Sequence, residues 1–121
     1  TKRLKNEALI AAALKSSNFQ LEALNELRRD FVDFLSDLRS WRLGNVPSHE
    51  IVTEKFNRVL LQLKRRDPMH EKFIIIAEEL MIAPDFPVFD DRYEELKRLC
   101  TEILSEGNHS IEIRLKNIGL Q

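Results

Sequence analysis

Three histidines and one cysteine are the side chains of this sequence that could most readily bind a metal or attack a substrate. No two of the histidines, His49, His70 and His109, stand three or four positions apart, so no turn of a helix brings two imidazoles together. His70 follows Asp67 by three positions, which is typical of a capping turn. Cys100 stands among leucines and isoleucines without a neighbouring base, and we expect it to be a buried apolar residue. We predict no metal site and no cofactor.

The carboxylates, serines and glycines also lack the spacing that catalysis requires. Adjacent residues of a helix point to different sides, so neighbouring acids are not expected to share a proton. The adjacent acids are Glu78–Glu79, Asp90–Asp91 and Glu94–Glu95. The three glycines lie far apart, which excludes a glycine-rich phosphate-binding loop, and the serines stand at helix caps or on charged faces. We therefore predict that the chain is not an enzyme.

Four basic residues on a predicted helix over 49–66 could follow a phosphate backbone. They are Lys55, Arg58, Arg65 and Arg66. However, Glu54 stands four positions before Arg58 and can pair with it. The chain has 19 Lys and Arg against 20 Asp and Glu. Proteins that attract nucleic acid through their overall electrostatic field usually carry a net positive charge. A nucleic-acid-binding accessory subunit is therefore kept as an alternative.

The elements that would position these residues all have the periodicity of helices. Apolar residues recur at spacings of three and four over 19–43, which predicts a helix with one buried stripe. The stripe consists of Leu24, Leu27, Phe31, Phe34, Leu38 and Trp41. An alanine-rich helix over 2–15 is predicted to precede it, with a break at Ser16–Asn18 and a continuous helix as the alternative. Gly44 and Asn45 are predicted to end the helix over 19–43.

The second half of the chain also reads as helices. Ser48 is predicted to cap the helix over 49–66, and Asp67 with Pro68 is predicted to start a largely apolar, central helix over 68–82. A loop over 83–90 and a helix over 91–106 follow. The tail, 109–121, fits either a helix or a short strand, and it could be a linker or a dimerisation segment.

The predicted fold is therefore a single all-α domain over 1–121, an antiparallel helical bundle of four to five helices. Because the chain starts at Thr1 instead of Met, we also consider that it was excised from a longer protein. No apolar run is long enough to span a bilayer, and one cysteine excludes an internal disulfide. We expect an intracellular, cytoplasmic protein that does not bind membranes.

Surplus apolar residues suggest the function. Leu21 and Leu35 widen the stripe of helix 19–43, Trp41–Arg42 closes it with residue types common in interfaces, and the 83–90 loop carries three large apolar residues. We predict a non-catalytic interaction or regulatory module that binds a protein partner or forms a homodimer through helix 19–43. The proposed contact residues are Leu24, Phe31, Trp41, Arg42, Phe86, Val88 and Phe89. A small-ligand-sensing domain with a pocket at Met69, Phe73 and Met81 is a further alternative.

Overall fold

The computed structural model consists of four helices and describes residues 2–82, 86–117 and 119; for residues 2–4 and 86 it describes the backbone alone. The helices are α1 (Lys2–Arg42), α2 (His49–Leu60), α3 (Pro68–Met81) and α4 (Phe86–Asn117). No strand occurs in this part of the chain. The predicted all-α class is confirmed.

Helix α1 is continuous over 41 residues, so the predicted break at Ser16–Asn18 is wrong. Serine and asparagine are only moderately poor helix formers, and neither Gly nor Pro stands there to interrupt the backbone. Ser17 is buried inside the helix instead of capping a new one. The predicted end at Gly44 is confirmed: Gly44 has a φ of +82°, and the Asn45 amide donates to the Ser40 carbonyl, which is a Schellman motif.

Helix α2 ends at Leu60, six residues before the predicted end at Arg66. The Lys64 amide donates to Nδ1 of His70 at 2.9 Å instead of to the carbonyl of the preceding helical turn. The following proline disfavours the helical conformation at Asp67, so the chain must turn before α3 begins. In α3 the predicted cap is confirmed, because Asp67 Oδ1 accepts a hydrogen bond from the Met69 amide at 2.9 Å.

Helix α4 is much longer than the predicted helix over 91–106. It begins at Phe86, so residues 86–90 of the predicted loop are helical, while residues 83–85 lie outside the described part. Pro87 is compatible with this start because a first-turn residue needs no amide donor. The helix also passes through Gly107 and Asn108 and makes residues 109–117 helical, so neither the predicted stop nor a strand over these residues occurs.

The core lies where α2 and α3 cover one face of α1 and α4. Along the two long helices, Leu24 lies beside Gly107, Tyr93 donates its hydroxyl hydrogen to the Leu35 carbonyl at 2.9 Å, and the Arg42 guanidinium lies 5.8 Å from the Phe89 ring centroid. Positions on α4 therefore fall as those on α1 rise. At 1.5 Å per residue on both helices, the described end of α4 lies level with about position 14 of α1.

Candidate functional site

The first part of α1 extends beyond the core as a water-exposed helix. We call residues 5–21 the N-terminal segment. Its large apolar side chains are exposed, Phe19 to 74% and Leu9 to 65%. The others are Ile10, Leu14 and Leu21. From position 8 to position 21 only Lys15 is charged, although charged residues make up 32% of the chain. An exposed helix normally carries a charged face, and this segment lacks one. It resembles the apolar patches that are found at protein interaction sites.

The total surface leads to the same conclusion. The chain exposes 8355 Å² at a mass of 14.2 kDa. A compact monomer of this mass is expected to expose about 6,800 Å². The excess is about 1,600 Å², and the exposed apolar side chains of the N-terminal segment contribute to it. The monomer therefore leaves unburied an area comparable to that of a protein–protein interface.

A groove of about 460 Å³ lies between residues 20–27 of α1, the turn between α2 and α3, and residues 103–114 of α4. Leu24 and Leu27 of α1 and Ile103 of α4 contribute apolar lining. Its polar lining residues are Gln20, Gln62, Lys64, Asp67, His70, Glu106, Ser110 and Arg114. Acids and bases alternate around this open groove, so its charge does not favour one sign of ligand.

The histidine of this groove supports the turn between α2 and α3. His70 Nδ1 accepts the hydrogen bond from the Lys64 amide, and Nε2 lies 3.8 Å from Asp67 Oδ2. Burial lowers the pKa of His70 below its usual value, and the neighbouring Asp67 opposes this only in part. The imidazole is therefore neutral near pH 7, with one nitrogen engaged by the backbone.

The chemistry available elsewhere is limited. No group of three or more His, Cys, Asp or Glu residues in the described ranges is placed to hold a metal ion. Cys100 is buried, and burial raises the pKa of its thiol to about 12, which makes it a poor nucleophile near neutral pH. Burial also raises the pKa of Tyr93, whose hydroxyl is held by the Leu35 carbonyl.

The residues predicted to contact a partner do not share one surface. Phe31 and Phe89 are 1% and 2% exposed and belong to the core, so they cannot meet a partner while the fold is intact. The heptad stripe that contains Phe31 faces α2, α3 and α4 and is therefore used internally. The side chain of Phe86 lies outside the described part.

The remaining predicted contact residues are divided between packing and surface. Leu24 is half-buried, with its side chain close to the Gly107 backbone. Trp41 packs against the core, and its ring centroid lies 5.0 Å from that of His49. Arg42 lies over the Phe89 ring, and Val88 is half-exposed at the opposite end of the molecule from the N-terminal segment. The exposed large apolar side chains at the start of α1 are instead Leu9, Ile10, Leu14, Phe19 and Leu21, of which the last two lie within the predicted helix 19–43.

The basic residues do not form the predicted helical face. Lys55 lies 4.0 Å from Asp33, and Arg58 lies 3.5 Å from Glu54, as the spacing had indicated. Because α2 ends at Leu60, Arg65 and Arg66 stand in the following turn and do not continue the helix. The four cations are therefore not aligned along one helix for a phosphate backbone.

The pocket considered at Met69, Phe73 and Met81 is filled by side chains. Phe73 is fully buried, with its ring centroid 5.1 Å from that of Phe31. The two methionines are partly buried and pack against the same cluster. None of the three lines the groove beside the N-terminal segment.

The predicted contact residues all lie at or after Leu24, so none of them belongs to the N-terminal segment. The signal was present in the run from Ala8 to Leu14, where apolar residues occupy every side of the helix. Only the tertiary structure shows that no other described helix covers this run.

Comparisons with known proteins offer no independent guide to function: no family model, curated protein or solved structure matches this chain. Among the described residues, no helix has the length and apolar character to cross a bilayer.

Proposed function

We propose that this chain is a non-catalytic protein–protein interaction module and that the N-terminal segment of α1 is its contact surface. We further infer that the four helices form an antiparallel bundle, which serves as the rigid base of this projecting segment. The single observation that carries the proposal is the exposure of five large apolar side chains on a helix with one charged residue between positions 8 and 21.

The physical reason is the cost of leaving such a surface in water. Burial of apolar area contributes roughly 25 cal/mol per Å², so covering the exposed leucine, isoleucine and phenylalanine side chains of the segment is favourable. The helix belongs to a continuous element that is packed into the core further along, so the segment is held in place before it binds. A partner therefore does not need to order it.

The proposal is tested with the double variant Ile10→Glu/Leu14→Glu in an affinity capture experiment. The control is Val46→Glu, since Val46 is 89% exposed and lies at the other end of the molecule. Proteins that the immobilised wild-type chain retains should also be retained by the control chain. The double variant should not retain them. Equal retention by all three chains would show that the segment is not the contact surface.

A further inference from the structure

We propose that His70 and the turn between α2 and α3 form a pH-sensitive switch within the folded chain. In the arrangement of the structure, which we call the seated state, the neutral imidazole accepts the hydrogen bond from the Lys64 amide. In a second arrangement, the released state, the imidazole carries an additional proton, leaves the Lys64 amide and turns into the groove of about 460 Å³ that it lines. The inference goes beyond the proposed function, since it holds whichever partner the N-terminal segment binds.

The hydrogen bond at Nδ1 requires the neutral ring. A backbone amide can only donate, so Nδ1 of His70, which lies 2.9 Å from the Lys64 nitrogen, must accept with its lone pair. The proton of the neutral ring is then on Nε2, which lies 3.8 Å from Asp67 Oδ2. A second proton, taken from water, would have to bind Nδ1. It would point at the amide hydrogen of Lys64, so the hydrogen bond would be lost and the two groups would repel each other.

The place of His70 in its helix adds to this repulsion. Because α3 begins at Pro68, His70 stands in the first turn, where the helix dipole disfavours a positive charge. The side chain is only 12% exposed in the seated state, so the charged ring would also lose most of its contact with water there. Both effects drive the imidazolium out of the seated state.

The charged groups around the ring give the released imidazolium a favourable place in the groove. Asp67 of the turn and Glu106 of α4 line the groove, and both carboxylates raise the pKa of His70. Lys64 of the turn acts in the opposite direction, and Arg114 of α4 is the second cation of the lining. The lining residues from α1 carry no charge. A ring that turns from the Lys64 amide towards Glu106 therefore gains water and keeps the attraction of a carboxylate.

The turn can change locally because both of its ends are held by bonds that do not involve His70. At its start, the Gln62 side chain donates a hydrogen bond to the Asp30 carboxylate of α1. At its end, the Asp67 side chain accepts the amide hydrogen that caps α3. The bond from the Lys64 amide to His70 ties the middle of the turn to α3. Its loss therefore frees the middle of the turn while the helices stay packed.

The switch changes the groove itself. Lys64, Asp67 and His70 are its lining residues from the turn and from the start of α3. In the released state the imidazolium occupies part of the groove and adds a positive charge to it. Acidification therefore makes the groove smaller and more positive, so that its capacity to hold another molecule depends on pH.

The primary test is an NMR titration of the whole chain that follows the His70 ring and the Lys64 amide in the same samples. Both signals should titrate with one shared midpoint, below the ordinary histidine pKa of about 6.5. The protection factor of the Lys64 amide in hydrogen exchange should fall at least about tenfold across this midpoint. The amides of Phe73 and Leu80, which are fully buried in α3, should stay protected.

Variants of the surrounding groups identify the switch. In His70→Asn the side-chain oxygen can accept from the Lys64 amide without titrating, so the Lys64 signal should not follow the histidine midpoint. Glu106→Gln should lower the shared midpoint, because it removes a carboxylate that favours the imidazolium. The matched control Glu112→Gln lies on the same helix but outside the groove lining, and it should leave the midpoint unchanged.

Two results would overturn the inference. In the first, His70 is protonated in the folded chain and the Lys64 amide keeps its signal and its protection. In the second, the amides of Phe73 and Leu80 lose protection together with that of Lys64, which would show that the ring is released only by global unfolding. The wild-type titration decides between these results and the switch even if the His70→Asn chain does not fold, and it does not depend on the outcome of the capture experiment.

Discussion

His70 illustrates, at the scale of single residues, how a side chain suited to chemistry is used for structure. Its Nδ1 accepts a hydrogen bond from the Lys64 amide. This bond helps to end α2 and to connect it to α3. Burial is the main cause of its lowered pKa; Asp67 and Glu106 act in the opposite direction, and Lys64 adds to the lowering. Protonation would remove the acceptor, so the neutral form belongs to the folded state.

Stability should consequently fall when His70 is protonated. Because the folded pKa is below the unfolded value of about 6.5, the unfolded chain binds more protons once the pH falls below that value. The free energy of unfolding should decrease as the pH falls from about 6.5 to the folded pKa, and His70 should contribute no pH dependence above that range. Urea denaturation of the wild type and His70→Asn, whose amide oxygen can still accept from Lys64, measures the difference. Identical pH dependence in both chains would contradict this role.

Gly107 of α4 lies directly against the Leu24 side chain of α1. A Cβ at this position would lie 2.6 Å from Cδ2 of Leu24. Alanine gains about 1 kcal/mol in helix propensity over glycine, but here Leu24 must move to admit the methyl group. We predict that Gly107→Ala is more favourable in a Leu24→Ala background than in the wild type, by about 1 kcal/mol. A double-mutant cycle by chemical denaturation tests this, and equal effects in both backgrounds would show that the approach is not tight.

The caps of α2 and α3 show, at the scale of elements, how similar sequence signals differ in strength. Asp67 makes its side-chain bond to the Met69 amide, whereas Ser48 stands at the N-cap position of α2 with no such bond. We expect Asp67→Ala to lower the free energy of unfolding by about 1 kcal/mol and Ser48→Ala to lower it by only a few tenths. Asp67→Asn preserves the cap without the charge near His70 and should retain most of the stability. Equal losses for the two alanine variants would contradict this ranking.

The distribution of packing within the whole molecule leads to a prediction about truncation. Residues 5–12 of α1 are exposed and lie outside the core cluster. Deleting residues 1–12 should therefore change the free energy of unfolding by less than about 1 kcal/mol, while weakening the capture of a partner bound through the N-terminal segment. As a comparison, Phe31→Ala removes a core ring and should cost about 3–5 kcal/mol. A large loss of stability on truncation would show that the segment belongs to the folding unit.

Much of this protein can be inferred from local patterns in its sequence. The helical class, the apolar stripe from Leu24 to Trp41, the end of α1 before Gly44 and the start of α3 at Asp67–Pro68 follow from periodicity, backbone φ preference and capping. These features depend on residues within a few positions of one another, so no knowledge of distant contacts is needed.

Only the tertiary structure decided the rest. Ser16–Asn18 and Gly107–Asn108 continue their helices, α2 ends at Leu60, and Phe31 and Phe89 are buried, not exposed to a partner. The helix propensities concerned differ by at most about 1 kcal/mol per residue, so packing between distant segments outweighs them. For the same reason, the exposure of the N-terminal segment could not be read from its composition, since it depends on where α4 stops covering α1.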